Sequence, residues 1–388
     1  MELRGNWRIP TEILAGPGRI AELPERVKAA GISRVLVVTD PGVAGLPFCA
    51  ALLDNLKQTG IAAALFKDVH PDPQAADVAA GAAAYKAHGA QAIIAMGGGS
   101  GLDCGKSIGL AVSTSRPLWD FEITLATPTL DSPIPPIFAV PTTAGTGSEV
   151  GRASVVIDTE KRRKYILLHA QMLPQLVILD PELTYGLPPF ITAWTGMDAL
   201  AHSLEAFYGA FYHPIADGIA IEGMRLVKEN LILAVNEPRN TVARMNMQAA
   251  ASMGATAFQK ALGAIHSLSH PIGARFHAHH GLTNAVLMPY VLAFNRPFIE
   301  ARIAYAAQAL GIPNGFDGFL NWILELRAAL NIPHTIDALK VTPDALEDLA
   351  VEAVADPNTP DNPRPATQAD MLRILQAAMA GTLTGLSD

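Results

Sequence analysis

The pattern of the sequence changes near Pro188-Pro189, and this change divides the chain into two kinds of fold. Before this point, short runs of β-branched and apolar residues alternate with stretches of helical composition. Strands are predicted over 34–39, 61–66, 91–96, 136–140, 153–158 and 165–180, with a hairpin around the charged turn 159–164. Helices are predicted over 43–59, 74–89 and 102–113. This β-α-β-α-β order indicates a mostly parallel, doubly wound sheet.

After the two prolines nearly every segment has helical composition. Helices are predicted over 190–210, 214–235, 238–262, 265–275, 281–294, 298–310, 315–330, 342–353 and 367–380. The segment 355–366 is a loop rich in Pro, Asn and Asp. We therefore predict an α/β domain over residues 1–187 and an all-α domain over residues 188–388.

The length and composition fit two folded domains. The chain has 388 residues, and at about 150 residues per domain this length suggests two. Half of the residues are hydrophobic and only 16% are charged, against about 25% in an average protein. The apolar content excludes intrinsic disorder. The low charged fraction indicates a large buried core and a subunit interface.

Charge and cysteine content limit the partners and the compartment. The formal net charge is −8 and no basic run occurs, so neither nucleic acid nor an anionic membrane is expected as a partner. The two cysteines, Cys49 and Cys104, are too few for a disulfide framework and favour a cytoplasmic protein. We expect no secretory signal and no membrane span, because no long apolar stretch lacks a breaker.

A glycine-rich loop follows the predicted strand 91–96. Gly97-Gly98-Gly99-Ser100 opens the next helix, and a helix N-terminus offers free N–H groups and partial positive charge to a pyrophosphate. Asp103 lies in the first turn, where it also suits the helix dipole. The alternative is a tight turn without a ligand, since the pattern is not G-x-G-x-x-G.

Two further strand ends carry polar side chains. Asp40 follows the strand 34–39, where a carboxylate can accept hydrogen bonds from ribose hydroxyls and repel a 2′-phosphate. The alternative for Asp40 is a turn residue before Pro41-Gly42. The loop 141–149 is rich in Thr, Ser and Gly and follows the strand 136–140. Two such loops favour a ligand crevice outside the strand ends over simple solvated turns.

The helical half contains a group of metal-binding residue types. Asp198 and His202 are spaced i, i+4, which places both on one face of a helix, and His266 and His270 repeat this spacing. Three more histidines follow shortly afterwards, namely His277, His279 and His280. The flanks are apolar, so these side chains face a core and need partners. A set of N and O ligands suits Fe(II), Zn(II) or Mn(II), and the alternative is a set of hydrogen-bonded core histidines.

Four motifs make the chain similar to the group III iron-dependent alcohol dehydrogenases. In order, they are GGGSGLDCGKSIGL, PTTAGTGSEV, GMDALAHSLEAF and HSLSHPIGARFHAHHGLTNAVLMPYV, and the resemblance extends over nearly the whole chain. It implies that family's dehydroquinate synthase-like fold, an α/β dinucleotide-binding domain followed by an all-α metal-binding domain. It also implies a homodimer or higher homo-oligomer, which the low charged fraction favours as well.

The resemblance implies a metal held by one Asp and three His. By motif position these are Asp198, His202, His266 and His280. His280 is preferred over His279 because the family's ligand directly precedes a glycine, here Gly281. His270 would then serve in proton transfer or positioning beside the metal.

The resemblance also implies the coenzyme contacts. The matching residues are Gly97, Gly98, Gly99 and Ser100 with Asp103 for the pyrophosphate, Thr142, Thr143 and Thr146 for the nicotinamide side, and Asp40, Asp72 and Lys164 for the adenosine and ribose. The chain departs from the family pattern in two places. His277 and His279 stand where many relatives carry other residues, and the run Gly151-Arg152-Ala153 follows the EV pair, where an Asn is common.

The activity that the resemblance implies is reversible oxidation of an alcohol to an aldehyde or ketone. Hydride would pass to NAD, rather than NADP, bound along the strand ends. Fe(II), or else Zn(II) or another divalent metal, would bind in the helical domain. The substrate would lie in a cleft between the domains. Small alcohols, aldehydes and hydroxy acids are the expected substrates. A maleylacetate-reductase-like enzyme is disfavoured by the intact Asp/His set, and a dehydroquinate-synthase-like lyase by the lack of a basic cluster. A non-enzymatic NAD- or metal-sensing protein stays open.

Overall fold

The computed structural model of the chain describes residues 11–161 and 163–388. The chain divides into two compact units between Gly186 and Leu187. Each unit is described by itself below. The predicted fold class is confirmed, since the first unit is built on a parallel sheet and the second is helical.

The first unit contains a six-stranded parallel sheet and a two-stranded hairpin. The described strands are β1 (Glu12–Ala15), β2 (Arg34–Val38), β3 (Ala62–Phe66), β4 (Ala92–Gly97), β5 (Ile137–Pro141), β6 (Ala153–Asp158), β7 (Arg163–Leu168) and β8 (Leu176–Leu179). The sheet order is β1-β8-β5-β4-β2-β3, and β6 pairs with β7 antiparallel. Between β2 and β4 the chain order reverses direction across the sheet. In a doubly wound sheet this switch point is where ligands bind.

The central strands are apolar because helices cover both faces of the sheet. Every residue of β4, β5 and β8 is buried, as expected for parallel strands. The helices of this unit are α1 (Leu23–Ala29), α2 (Pro41–Ala44), α3 (Pro47–Gln58), α4 (Ala75–His88) and α5 (Gly99–Ala111). One core cluster joins apolar residues of α1 and α3 to those of the sheet strands.

The strand register brings the polar strand ends together. Val38 of β2 pairs with Ala95 of β4, so Asp40 and Gly97, each two residues further on, lie at the same edge. Gly97 in turn pairs with Pro141 of β5. The glycine loop, the threonine loop and Asp40 therefore share the carboxyl end of the sheet at the switch point.

Several predicted boundaries in this unit were wrong. The predicted helix 43–59 is two helices, because Leu46 is extended and Pro47 begins α3. The predicted strand 165–180 is likewise two elements, since β7 ends in the hairpin and β8 joins the main sheet between β1 and β5. Neither β1 nor α1 was predicted from the sequence. β1 has only four residues, one of them buried, so its sequence gives a weak strand signal.

The second unit is built from helices. They are α6 (Pro189–Tyr208), α7 (Pro214–Asn236), α8 (Thr241–Ala257), α9 (Ala264–Phe276), α10 (His280–Ala309), α11 (Gly315–Ala329), α12 (Leu346–Val354) and α13 (Gln368–Ala380). α6 is buried along nearly its whole length and packs on α7, α8 and α10. In the described part of the chain no helix is long and apolar enough to cross a membrane.

The helix α10 corrects the prediction of two helices over 281–294 and 298–310. It runs through 30 residues with Pro289 and Pro297 inside it. A proline removes one backbone hydrogen bond and crowds the preceding turn, which is why the sequence suggested a break. The residues from Gly281 to Asn295 are nearly all buried. Burial of this segment favours one continuous helix over a break.

Candidate metal centre and coenzyme loops

The centre of the second unit brings together four potential metal ligands from three helices. α6 supplies two of them one turn apart, α9 supplies one, and α10 begins with the fourth; they are Asp198, His202, His266 and His280. One ligand atom from each lies within 4.8 Å of the others. Oδ1 of Asp198 is 3.6 Å from Nε2 of His280 and 4.0 Å from Nε2 of His202.

Gly281 allows α10 to begin this close to α6. A Cβ atom at Gly281 would lie 2.3 Å from the carbonyl oxygen of Trp194 and 3.0 Å from Cβ of Asp198. Real Cβ atoms do not approach a backbone oxygen so closely. The glycine after His280 is therefore a packing requirement of the site.

The donor set and its surroundings fit a divalent metal. Nδ2 of Asn284 lies 2.8 Å from Oδ1 of Asp198, 3.3 Å from Nε2 of His266 and 3.2 Å from Nε2 of His280. The potential ligand atoms of Asp198, His266 and His280 therefore lie around the amide nitrogen of Asn284. Among the described residues, Oδ1 of this fully buried Asn284 has no hydrogen-bond partner. One carboxylate and three imidazoles suit a first-row divalent metal.

Glu205 is a site residue that sequence reasoning missed. Its Oε2 lies 2.5 Å from Nδ1 of His266, while Oε1 accepts hydrogen bonds from the N–H of Ile265 at 2.8 Å and from the hydroxyl of Tyr208 at 3.1 Å. A carboxylate on the far nitrogen of a ligand His fixes its tautomer and orientation. Burial opposes the charge of His266, but the hydrogen bond and charge of Glu205 raise the pKa of that imidazole. The sequence offered one indication of Glu205, because it follows His202 by three residues and so lies on the same face of a helix.

His270 lies beside the cluster and contacts a second buried carboxylate. Its ring stacks on that of His280 with centroids 5.6 Å apart, and its Nδ1 lies 2.7 Å from Oδ2 of Asp356. Burial would raise the pKa of Asp356, but the charge and hydrogen bond of His270, with hydrogen bonds from Asn358, lower it. Asp356 was also missed by the sequence analysis.

The remaining histidines of this segment lie apart from the four-residue cluster. The His279 ring packs on Trp194 at a centroid distance of 5.1 Å. His277 is exposed and ends α9 with a left-handed φ of 53°. The cluster of four potential ligands thus includes His280 and not His279.

In the first unit, the glycine loop and the threonine loop are in contact. Gly97 adopts a φ of 141°, a conformation that favours glycine, and its carbonyl accepts a hydrogen bond from the N–H of Thr142 at 2.9 Å. A Cβ at Gly98 would lie 3.3 Å from Thr143, and one at Gly99 only 2.7 Å from Thr146. The two loops form a small-residue surface at the N-terminus of α5, where backbone amides are available to a pyrophosphate.

Asp40 lies beside this surface. Its Oδ1 accepts a hydrogen bond from the N–H of Val43 at 3.0 Å and caps α2. Its Oδ2 lies 3.4 Å from the place where Gly97 would carry a Cβ. The carboxylate is therefore both a helix cap and a negative charge next to the glycine loop.

Asp103 and Lys106 join α5 to the threonine loop and the hairpin. Asp103 accepts hydrogen bonds from the Ser148 hydroxyl and, at 2.9 Å, from the N–H of Val155. The buried Lys106 Nζ lies 3.2 Å from Asp103 and donates to the carbonyl of Ser148 at 3.0 Å and to that of Ala153. Burial lowers the pKa of Lys106 and Asp103 opposes this. In this arrangement Asp103 holds the loops in place.

The other predicted coenzyme residues lie around the same helix. Ser100 donates its hydroxyl hydrogen bond to the carbonyl of Pro71. Asp72, the next residue, forms an ion pair with Lys164 of β7 at 2.8 Å. The exposed Arg152 lies just before β6, and its carbonyl accepts a hydrogen bond from the N–H of His169.

Comparison with known proteins identifies relatives over nearly the whole chain. Residues 10–181 match the family model described as iron-containing alcohol dehydrogenase, and residues 192–379 match the one described as the C-terminal part of the Fe-containing alcohol dehydrogenase family. A 4-hydroxybutyrate dehydrogenase of Cupriavidus necator is 35% identical, over 93% of this chain and 96% of the relative.

Solved structures share the architecture. A 1,3-propanediol oxidoreductase superposes with a TM-score of 0.92 at 33% identity, over 96% of this chain and 99% of the other. A sulfoacetaldehyde reductase from Bifidobacterium kashiwanohense, solved in complex with NAD+, superposes with a TM-score of 0.90 at 28% identity, over 99% of this chain and 100% of the other.

Proposed function

This chain belongs to the iron-containing alcohol dehydrogenase family, and from that premise we propose which residues carry its reaction. The protein is an oxidoreductase that interconverts an alcohol and an aldehyde or ketone. We assign the coenzyme to residues 1–187 and the metal to residues 188–388. The observation that carries the proposal is the convergence of four ligand atoms within 4.8 Å in the helical unit.

We propose Asp198, His202, His266 and His280 as the metal ligands and Fe(II) as the metal. The family description supports iron, and the donor set accepts Zn(II) as well. Glu205 would orient His266, and Asn284 would hold the carboxylate of Asp198 through its amide hydrogen bond of 2.8 Å. These neighbours keep the ligand set in position.

Alcohol oxidation removes one hydride and one proton. A bound nicotinamide would supply the hydride acceptor for the carbinol carbon, and a bound divalent metal would supply a Lewis acid that lowers the pKa of the substrate hydroxyl. The chain's own task is then to accept the hydroxyl proton as the C–H and O–H bonds break and the carbonyl forms. We propose His270 for this task, because its ring stacks on His280 and its Nε2 faces away from Asp356.

We propose NAD, rather than NADP, as the coenzyme. The pyrophosphate would bind Gly97, Gly98, Gly99 and Ser100 at the start of α5, with Thr142, Thr143 and Thr146 towards the nicotinamide. Asp40 would accept hydrogen bonds from the ribose and repel a 2′-phosphate. The Asp72–Lys164 pair would border the adenosine and ribose, and Asp103 would anchor the threonine loop.

The substrate that we propose is a small primary alcohol, including hydroxy acids. Relatives named for 4-hydroxybutyrate and 1,3-propanediol support this class. We further propose a homodimer or higher homo-oligomer in the cytoplasm. The 16% charged fraction supports association, and the buried free thiols of Cys49 and Cys104 support a reducing compartment.

The experiment that tests the proposal replaces His266 by Ala in protein loaded with Fe(II) under anaerobic conditions. We expect metal content and alcohol-dependent NADH formation to be lost together, because His266 is one of four ligands. His334→Ala, an exposed histidine of the same unit, should change neither. NADH formation by a metal-free His266→Ala variant would contradict the assignment.

A further inference from the structure

The loop 355–366 holds in place the helix that carries His266 and His270. At the start of α9, Oδ1 of the buried Asn362 accepts a hydrogen bond from the N–H of Ala264 at 3.1 Å. Asn362 also exchanges two hydrogen bonds, of 2.9 and 2.8 Å, with Asn295 of α10. The loop is thereby joined to both α9 and α10.

Asp356 extends from the same loop to Nδ1 of His270. Its side chain is only 9% exposed, and Oδ2 lies 2.7 Å from Nδ1 of His270. Oδ1 accepts hydrogen bonds from the backbone N–H of Asn358 at 2.9 Å and from its amide at 2.8 Å. Both carboxylate oxygens are thus engaged, so the carboxylate itself has a fixed orientation.

We propose that Asp356 is a positioning residue that fixes His270 in the Nδ1–H tautomer. A carboxylate oxygen can only accept, so the hydrogen of the pair belongs to Nδ1. A neutral imidazole with hydrogen on Nδ1 keeps its lone pair on Nε2. The link to catalysis rests on the proposed function, in which Nε2 of His270 accepts the proton of the substrate hydroxyl while the electron pair of the C–H bond leaves with the hydride to the coenzyme.

The contacts favour this assignment over a purely structural one. Asn362 and Asn295 already join the loop to the two helices. One face of the His270 ring stacks on His280, with an angle of 16° between the ring planes. Asp356 contacts Nδ1 at the edge of the same ring. The pair therefore sets where Nε2 points.

The test compares Asp356→Asn with Asp361→Asn, which changes a second carboxylate in the same loop. With Asp356→Asn we expect kcat to fall about 10- to 100-fold, as for other residues that orient site histidines, with KM and bound metal unchanged. Asp361→Asn should behave like the unaltered protein. Asp356→Glu, which retains the charge, should recover part of the lost kcat.

A second readout does not depend on activity. In the Zn(II)-loaded protein with ¹⁵N-labelled histidine, the His270 signals, assigned with His270→Gln, should show Nδ1–H in the unaltered protein and a mixture of tautomers in Asp356→Asn. Nε2–H in the unaltered protein would overturn the proposal, even if the variants did not fold. So would an unchanged kcat in folded Asp356→Asn. If the unaltered enzyme oxidised no alcohol, the proposed function would fail, whereas the tautomer would still decide the role of Asp356.

Discussion

At the scale of single residues, Glu205 contacts a candidate metal ligand without being one of the four. Its carboxylate is fully buried and contacts Nδ1 of His266. A buried carboxylate makes the imidazole a stronger electron donor and fixes the nitrogen that faces the metal. Loss of the charge alone should therefore weaken metal binding.

Glu205→Gln tests this effect. Gln retains the size and one acceptor but removes the charge, so we expect metal affinity to fall about 10-fold or more, measured by competition with a chromogenic chelator. The control is Glu300→Gln, an exposed glutamate of α10. Equal metal affinities for the Glu205→Gln and Glu300→Gln variants would show that the carboxylate has no influence on the metal.

Asp40 is the residue at which coenzyme preference can be tested. Asp40→Ser removes the negative charge beside Gly97, and Ser is also a good helix cap for α2. We expect kcat/KM for NADP to rise about tenfold, which corresponds to about 1.4 kcal/mol, and that for NAD to fall. Asp54→Ser, at an exposed position of α3, should leave both values unchanged; a similar NADP gain there would refute the role of Asp40.

The residues of the cluster differ in how far sequence could identify them. The i, i+4 spacing made Asp198 and His202 candidates, and the resemblance supplied the set of four ligands and the choice of His280 over His279. Glu205 and Asp356 were missed for physical reasons. A glutamate three residues after a histidine is common on helix surfaces, and Asp356 lies 86 residues from His270 along the chain. Only the packing of the loop against α9 shows that contact.

At the scale of elements, the start of α10 determines the position of His280. This helix begins against the backbone of α6, where only a glycine fits after His280. A methyl group at Gly281 would meet the carbonyl of Trp194 at 2.3 Å. The backbone cannot yield as a flexible side chain would.

Gly281→Ala should therefore destabilise the protein and move His280. We expect a loss of about 1–3 kcal/mol in the free energy of unfolding, as for other overpacked sites, together with weaker metal binding. Gly218→Ala is the matched control, since a Cβ there meets nothing within 4 Å; in this exposed helix position it should be neutral or stabilising by up to about 1 kcal/mol. Denaturant unfolding curves measure both, and equal effects would contradict the packing argument.

Elements with a distinct local composition were predictable, and those that depend on tertiary packing were not. The strands β2 to β5 and the helix α4 follow from local composition. The prolines of α10 suggested a break that burial overrides. β8 was not separated from β7 because the apolar residues that end β7 and those of β8 were assigned to one predicted strand. β1 acquires its identity only by pairing with β8.

At the scale of the whole molecule, the proposed metal and the proposed coenzyme would bind different units of the chain. All four candidate metal ligands follow Leu187, whereas the glycine and threonine loops precede Gly186. A ligand stabilises the part of a protein that binds it, by about 2.7 kcal/mol when its free concentration is 100 times its Kd. Metal removal should therefore act unevenly along the chain.

Hydrogen exchange with and without a chelator measures this difference. We expect removal of the metal to speed amide exchange in α6, α9 and the first turns of α10, because their side chains lose a shared partner. Exchange in β2, β4 and β5 should not change, and added Fe(II) or Zn(II) should restore the original rates. An equal loss of protection in the sheet would contradict the assignment of the metal to the helical unit alone.

The separation of the candidate metal ligands from the coenzyme loops along the chain also has a consequence for the evolution of such enzymes. On the proposed assignment, a substitution at Asp40 would alter coenzyme choice without touching any candidate metal ligand, and a substitution near His266 would leave the glycine loop intact. Lineages can therefore change one trait while selection preserves the other. Recombination between homologous genes at the codons around Gly186 and Leu187 would exchange the coenzyme-binding part or the metal-binding part as a whole. This boundary is therefore a suitable crossover point for chimeric enzymes.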